Sequence, residues 1–268
     1  MLVQASPPSA VISQGTLLLL GLALLAWLLS IGRMAGMDAG PGTDPSALGF
    51  YLTIWVVMMA AMMFPSIAPM VLAHAAVERG RAARGKGQPG ATAAFIAGYL
   101  ICWTAFGLGA YALLELGRAL HPGILGWDRG GPYFAGAVIV AAAAYQLTSL
   151  KDACLTKCRG PLDFVIGHWR DGLGGSLRMG VEHGAWCIGC CWALMAALFA
   201  LGIMSVAWMA LVAALIAIEK LAPWKTTANR AIAVTLVVLG MAVAVVPEQV
   251  PGLTVPTSAG NGMTMEAS

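Results

Sequence analysis

The sequence predicts an all-α protein: a polytopic integral membrane helical bundle of about seven transmembrane helices, with a cytoplasmic N-terminus and an external C-terminus. Three observations lead there. The 268 residues are 59% hydrophobic and only 10% charged, with a mean hydropathy of +0.81, whereas a soluble domain needs about a quarter charged residues to cover its wet surface. Apolar runs of about 20 residues, long enough to cross a hydrocarbon core as helix, recur along the chain. The basic residues gather in alternate connections between those runs.

Taken in order, residues 1–14 form a tail, and "TLLLLGLALLAWLLSI" opens the first span at 15–33. No basic residue precedes that run and no small-x-small site follows it, so it reads as a retained helix rather than a cleaved leader. The further spans fall at 50–73, 91–116, 132–150, 181–201, 204–221 and 229–247. "MDAGPGTDPSALG" and "HPGILGWDRGGP" are loops by their Gly and Pro content. Little more than Gly202 separates the fifth and sixth spans, which predicts a tight helical hairpin. Residues 15–247 therefore make one transmembrane domain, and 248–268 a flexible external tail. No second half mirrors the proline-bearing second span, so an inverted-repeat transporter is not supported.

Orientation follows from Lys and Arg. Arg79, Arg81, Arg84 and Lys86 follow the second span, and Lys151, Lys157, Arg159, Arg170 and Arg178 follow the fourth. Lys220, Lys225 and Arg230 follow the sixth. These connections share one side and hold twelve of the 15 basic residues, against Arg33, Arg118 and Arg129 on the other. The net charge of +3 thus serves topology, and nothing in it points to nucleic acid.

Sulfur supplies the chemistry. In "WVVMMAAMMFPSIAPM", Met58 stacks on Met62 and Met59 on Met63, since helical residues four apart share a face. Thioethers select Cu(I) over harder ions and need no deprotonation, yet methionine also fills gaps between helices, and spacing alone leaves both readings open. Pro65 and Pro69 lack amide donors and free carbonyls one turn earlier, which kinks the helix around a site or merely bends it. In "VEHGAWCIGCCWALM", His183, Cys187, Cys191 and Met195 fall at four-residue steps, with Cys190 beside the stripe. Imidazole, thiolate and thioether in a row suit a soft metal. Glu182 lies next to the stripe, and an ionisable group inside a membrane is a functional candidate. Cys154 and Cys158, in "YQLTSLKDACLTKCRGP", stand among Lys151, Lys157 and Arg159, and nearby cations favour the thiolate. Each cysteine group also has a packing reading, as small apolar residues. Cys102, His121 and His168 read as packing. His74 stays open between the two. The pairs Met34/Met37 with Asp38, and Met263/Met265 with Glu266, are weak external candidates.

"WVVMMAAMMFPSIAPM", "AYQLTSLKDACLTKCRGP", "GAWCIGCCWALMAALFALGIMSVAWM" and "AIEK", in that order over residues 50–225, resemble a bacterial family of predicted metal-binding integral membrane proteins, domain of unknown function 2182. The resemblance implies a multi-pass protein of the bacterial inner membrane and points to Met58, Met62, Cys154, Cys158, Cys187, Cys190 and Cys191 as the positions to inspect.

The expectation is a membrane protein that binds a soft transition metal, Cu(I) first and zinc second, for transport, handling or delivery. The ligand set is Met58, Met62, Met63, Cys154, Cys158, Glu182, His183, Cys187, Cys190, Cys191 and Met195. The lipid bilayer is its first partner, and a metallochaperone or membrane protein its second. An enzyme is the less favoured class, and no nucleotide-binding loop supports pumping by this chain alone. The alternatives are a transmembrane thiol–disulfide electron carrier, and a structural or metal-insertion subunit for a membrane partner. Two geometric expectations follow. Cys154 or Cys158 should reach the His183–Cys187 end of the fifth span, and the Trp55–Met58–Met62 face should look into the bundle beside Cys191 and Met195.

Overall fold

A computed structural model describes residues 9–34, 47–120, 130–202, 205–251 and 253. Met37, Asp38, His121, Met263, Met265 and Glu266 lie outside the described residues. The described residues form α-helices and one 3-10 turn at Pro247–Gln249, with no strand among them. The helices are α1 Ser9–Met34, α2 Leu48–Ala82, α3 Ala91–Leu120, α4 Gly131–Gln146, α5 Ser149–Arg159, α6 Pro161–Gly167, α7 Gly172–Leu201, α8 Val206–Leu221 and α9 Lys225–Val245.

Five helices are long and apolar enough to cross a membrane: α1 from Gly15, α2, α3 to Gly117, α7 and α9. Two of the seven expected spans fail that test, and the fifth starts nine residues earlier than expected, at Gly172. The fourth stops at Gln146, because the chain breaks at Leu147–Thr148 and turns by 67° into α5. Counting that bent pair as one span brings the number to six. The sixth expected span, α8, has 16 residues, which at about 1.5 Å each fall short of the roughly 30 Å hydrocarbon core. Leucines such as Leu17, Leu24, Leu28 and Leu113, with Tyr133, Phe134, Val234 and Val238, stay exposed. Apolar surface on that scale needs lipid or protein to cover it.

α2 is the central helix and runs unbroken through Pro65 and Pro69. It packs on α1, α3, α6 and α8, while α3 packs on α7 and α4 on α9. Glycine sets the closest of these contacts. A Cβ on Gly180 would collide with the Phe95 carbonyl oxygen, and one on Gly98 with the Leu177 carbonyl oxygen. Small residues are what allow helix backbones to approach this closely in a membrane. The hairpin between α7 and α8 turns on Gly202, whose φ of 110° suits glycine.

The expected basic connections meet at one end of the bundle. Arg81 pairs with Asp171 at 2.5 Å and lies over the Trp169 ring. Lys225 pairs with Asp152 at 2.7 Å. Arg159 donates to the Glu219 carbonyl at 2.7 Å and to the Ala222 carbonyl, where the last carbonyls of α8 lack helical partners. Two of the twelve basic residues depart from the expected loops. Lys151 and Lys220 are buried inside the bundle, because α5 folds back against α7 and α8 and closes over both.

Candidate metal centre

Cys187, Cys190 and Cys191 occupy i, i+3 and i+4 of α7 and so share a face. All three are wholly buried and free, and their sulfurs lie within 4.8 Å of one another. Cys190 Sγ is 3.3 Å from Cys191 Sγ. A soft ion about 2.3 Å from each thiolate holds two sulfurs roughly 4 Å apart, so the cluster has the dimensions of a metal site.

Positive charge and a hydroxyl face Cys187. Lys220 Nζ, from α8, is 3.0 Å from Cys187 Sγ and 3.4 Å from Ser66 Oγ of α2. The Ser66 hydroxyl donates a hydrogen bond to the Met63 carbonyl at 2.9 Å, which leaves its lone pairs for Lys220. Tyr99 Oη, from α3, is 3.1 Å from the same sulfur. Side chains of α3 and α8 therefore meet the α7 thiol, and α2 joins through Ser66 on Lys220.

The fold holds α7 in place through its backbone at Gly189 and Cys190. α5 begins at an N-cap where Thr148 accepts from the Lys151 amide, as a helix start requires. It then presents Lys151, Cys154, Leu155 and Cys158, an i, i+3, i+4, i+7 face, toward α7. Lys151 Nζ donates to the Cys190 carbonyl at 2.9 Å and to both Glu219 oxygens at 2.9 and 2.8 Å. Lys151 and Glu219 are both 0% exposed, and a buried charge survives only when paired in this way. Tyr145 Oη donates to the Gly189 carbonyl at 2.6 Å.

The structure sorts the expected ligands. It brings Cys158 Sγ to 3.7 Å from Cys190 Sγ and within hydrogen-bonding reach of the Cys187 thiol, so the inner cysteines of α5 and α7 meet at the Cys187 end, as expected. The Cys154 sulfur instead packs at Gly189, where a Cβ would collide with it. His183 is buried against Phe95, Tyr99 and Phe164 with Nδ1 unpartnered, and it stands outside the three-sulfur group. Glu182 departs furthest from expectation: it pairs with Arg170 at 3.0 Å and Arg178 at 3.3 Å, one position off the buried stripe and drawn to the basic rim.

Met58, Met59, Met62 and Met63 are all buried. The Trp55–Met58–Met62 face looks into the bundle as expected, and the Met59–Met63 face is buried as well, because α2 is enclosed by its neighbours on every side that carries a methionine. α2 and α7 run antiparallel. His74 Nε2 meets Ser176 Oγ at 3.3 Å near one end, Lys220 bridges Ser66 and Cys187 in the middle, and Trp55 stacks on Phe199 at 5.7 Å near the other end. Between the last two contacts Met62 comes level with Cys191 and Met58 with Met195. Cys102 packs at Gly184, and His168 lies over Phe164. His74 is held by Thr92 and Ser176 between the Phe95 and Trp169 rings, a satisfied core histidine.

Sequence reasoning missed Lys151, Glu219, Lys220, Tyr99 and Ser66 as parts of the centre. A signal existed for three of them: Glu219 and Lys220 are the only charges in an otherwise apolar helix, and intramembrane charge marks function. For Lys151 the signal was its helical spacing from Cys154 and Cys158.

Residues 52–243 match the family model PpoB2, described as a copper chaperone. No curated protein and no solved structure matches the chain.

Proposed function

The chain belongs to the PpoB2 copper-chaperone family, and from that premise we propose that it is an inner-membrane protein that carries Cu(I) as cargo on Cys187, Cys190 and Cys191. The observation that carries the reading is the enclosure of three free thiols within 4.8 Å of one another beside a buried lysine. Thiolates suit Cu(I), and charged centres away from water need a counter-ion. Lys220 supplies it at 3.0 Å, while Lys151 and Glu219 neutralise each other.

Cu(I) reaches the thiols along a column of thioethers. Met34 and Met209 are buried and stand near the Trp55 level of α2, since Gly15 of α1 abuts Leu72 and Lys220 of α8 abuts Ser66. Met58 and Met195 come next, then Met62 at the level of Cys191. Each step exchanges one soft ligand for another, and thiolates hold Cu(I) more tightly than thioethers, so the gradient runs toward the basic end. That end is cytoplasmic in this reading, by the positive-inside rule.

The test is elemental analysis of detergent-purified protein. Copper is expected with the wild type and absent from the Cys187→Ser/Cys190→Ser/Cys191→Ser variant, with helical content kept. Equal copper in both would sink the proposal. A thiol–disulfide carrier rests on the Cys158–Cys190 approach alone. Its signature is a mixed disulfide with a thioredoxin-like protein, and recovery of that adduct in place of copper would favour the carrier.

A further inference from the structure

Cys158 differs from the three enclosed cysteines in place and in exposure. It is half-buried where they are wholly buried, and it stands in the last turn of α5 between the exposed Lys157 and the half-buried Arg159. Its sulfur is 3.7 Å from that of Cys190, close enough for one metal to bridge both, yet it lies outside the group of three. The other thiols lack this double access. Cys187 is closed in by Tyr99 and Lys220, Cys190 has Lys151 across its carbonyl, and Cys154 is packed against Gly189.

We propose that Cys158 is the exchange thiol, the residue that passes Cu(I) between the enclosed cysteines and a sulfur acceptor at the basic end of the bundle. This rests on the copper reading above. In the outward step the Cys158 sulfur bonds to the metal and loses its proton to water while the Cu–Cys187 bond breaks, leaving the Cys187 thiolate with Lys220 as counter-ion. The metal, now on Cys190, Cys191 and Cys158, leaves as acceptor thiolates replace these three sulfurs one at a time. One Cu–S bond forms as each one breaks, Cys158 regains a proton when it lets go, and copper stays Cu(I) throughout, so no oxidant or reductant is needed. α5 itself is held over the centre by Arg159 on the α8 carbonyls and by the exposed Lys225–Asp152 pair, so the thiol sits at the edge of a cover and not behind it.

The experiment loads the full chain in detergent with Cu(I) and follows its loss to excess glutathione. Cys158→Ser should keep the wild-type copper content and lose it at least about tenfold more slowly, whereas Cys154→Ser, on the same helix face, should change neither. N-ethylmaleimide should label Cys158 first in the copper-free wild type, and bound copper should protect it. Retained copper with an unchanged exchange rate in Cys158→Ser would overturn the proposal, as would loss of copper from that variant, which would make Cys158 a holding ligand. Wild type that takes up no copper overturns the function reading and this one together, and is told apart from the other failures by the wild-type sample alone.

Discussion

At Lys220 an ammonium shares two partners, Cys187 Sγ at 3.0 Å and Ser66 Oγ at 3.4 Å, with almost no access to water. Replacing it removes the cation but none of the sulfur. Lys220→Met is expected to weaken Cu(I) binding by about 10- to 100-fold, the usual cost of losing a partner behind a metal ligand, while Lys220→Arg restores part of it. Competition against a chromophoric Cu(I) chelator reads both, and equal affinity in all three proteins would show the charge to be irrelevant. Lys151 makes the complementary case, since its partner is a carboxylate and not a thiol. Lys151→Met leaves Glu219 buried and unpaired, at a cost of about 3–5 kcal/mol. The paired change Lys151→Met with Glu219→Gln should recover much of the lost thermal stability. A single variant as stable as the wild type would contradict the burial of the pair.

At the scale of the helix, α2 poses packing against ligation. Its methionine pairs have the same spacing and the same burial, so geometry at the level of the helix cannot tell them apart by exposure. Leucine conserves the volume, and either double substitution should cost under about 1.5 kcal/mol. The Met58–Met62 stripe continues at the next four-residue step to Ser66, and so to Lys220 and Cys187. Met58→Leu with Met62→Leu is therefore expected to lower copper uptake while Met59→Leu with Met63→Leu leaves it higher. Identical uptake in the two would return all four methionines to packing. The short helix α5 shows why a 67° bend matters: a straight continuation of α4 would carry Cys158 away from α7, whereas the bend lays its polar and sulfur-bearing face on Cys190.

For the whole molecule, sidedness is the testable property. The ion pairs Arg81–Asp171 and Lys225–Asp152 gather the basic connections at one end, and the positive-inside rule puts that end in the cytoplasm. A reporter fused after Glu248 should be active only outside the cytoplasm and one near Lys86 only inside. The opposite pattern would reverse the copper gradient as well as the topology. The exposed apolar belt over α1, α3 and α9 is the surface that bilayer lipid covers in this arrangement.

Hydropathy and spacing by themselves determined the helical class, the starts of α2, α3 and α4 and the face of α7 that carries Cys187, Cys191 and Met195, because each is a local property of a 3.6-residue period. The hairpin at Gly202 was equally legible, from a single residue between two apolar runs. Contacts across the chain were not. Nothing near Lys220 in sequence announces Cys187, 33 residues away, or Ser66, 154 away, and charge counting placed both buried lysines in loops. Glu182 and His183 are neighbours in sequence, yet one belongs to the rim and the other to the core, since a helix turns about 100° per residue. Only the packing of α5 across α7 and α8 decided which charges pair with each other, which one faces a thiol, and which cysteine remains within reach of the surface. Burial of a charge is settled by what covers it, and the cover comes from another part of the chain.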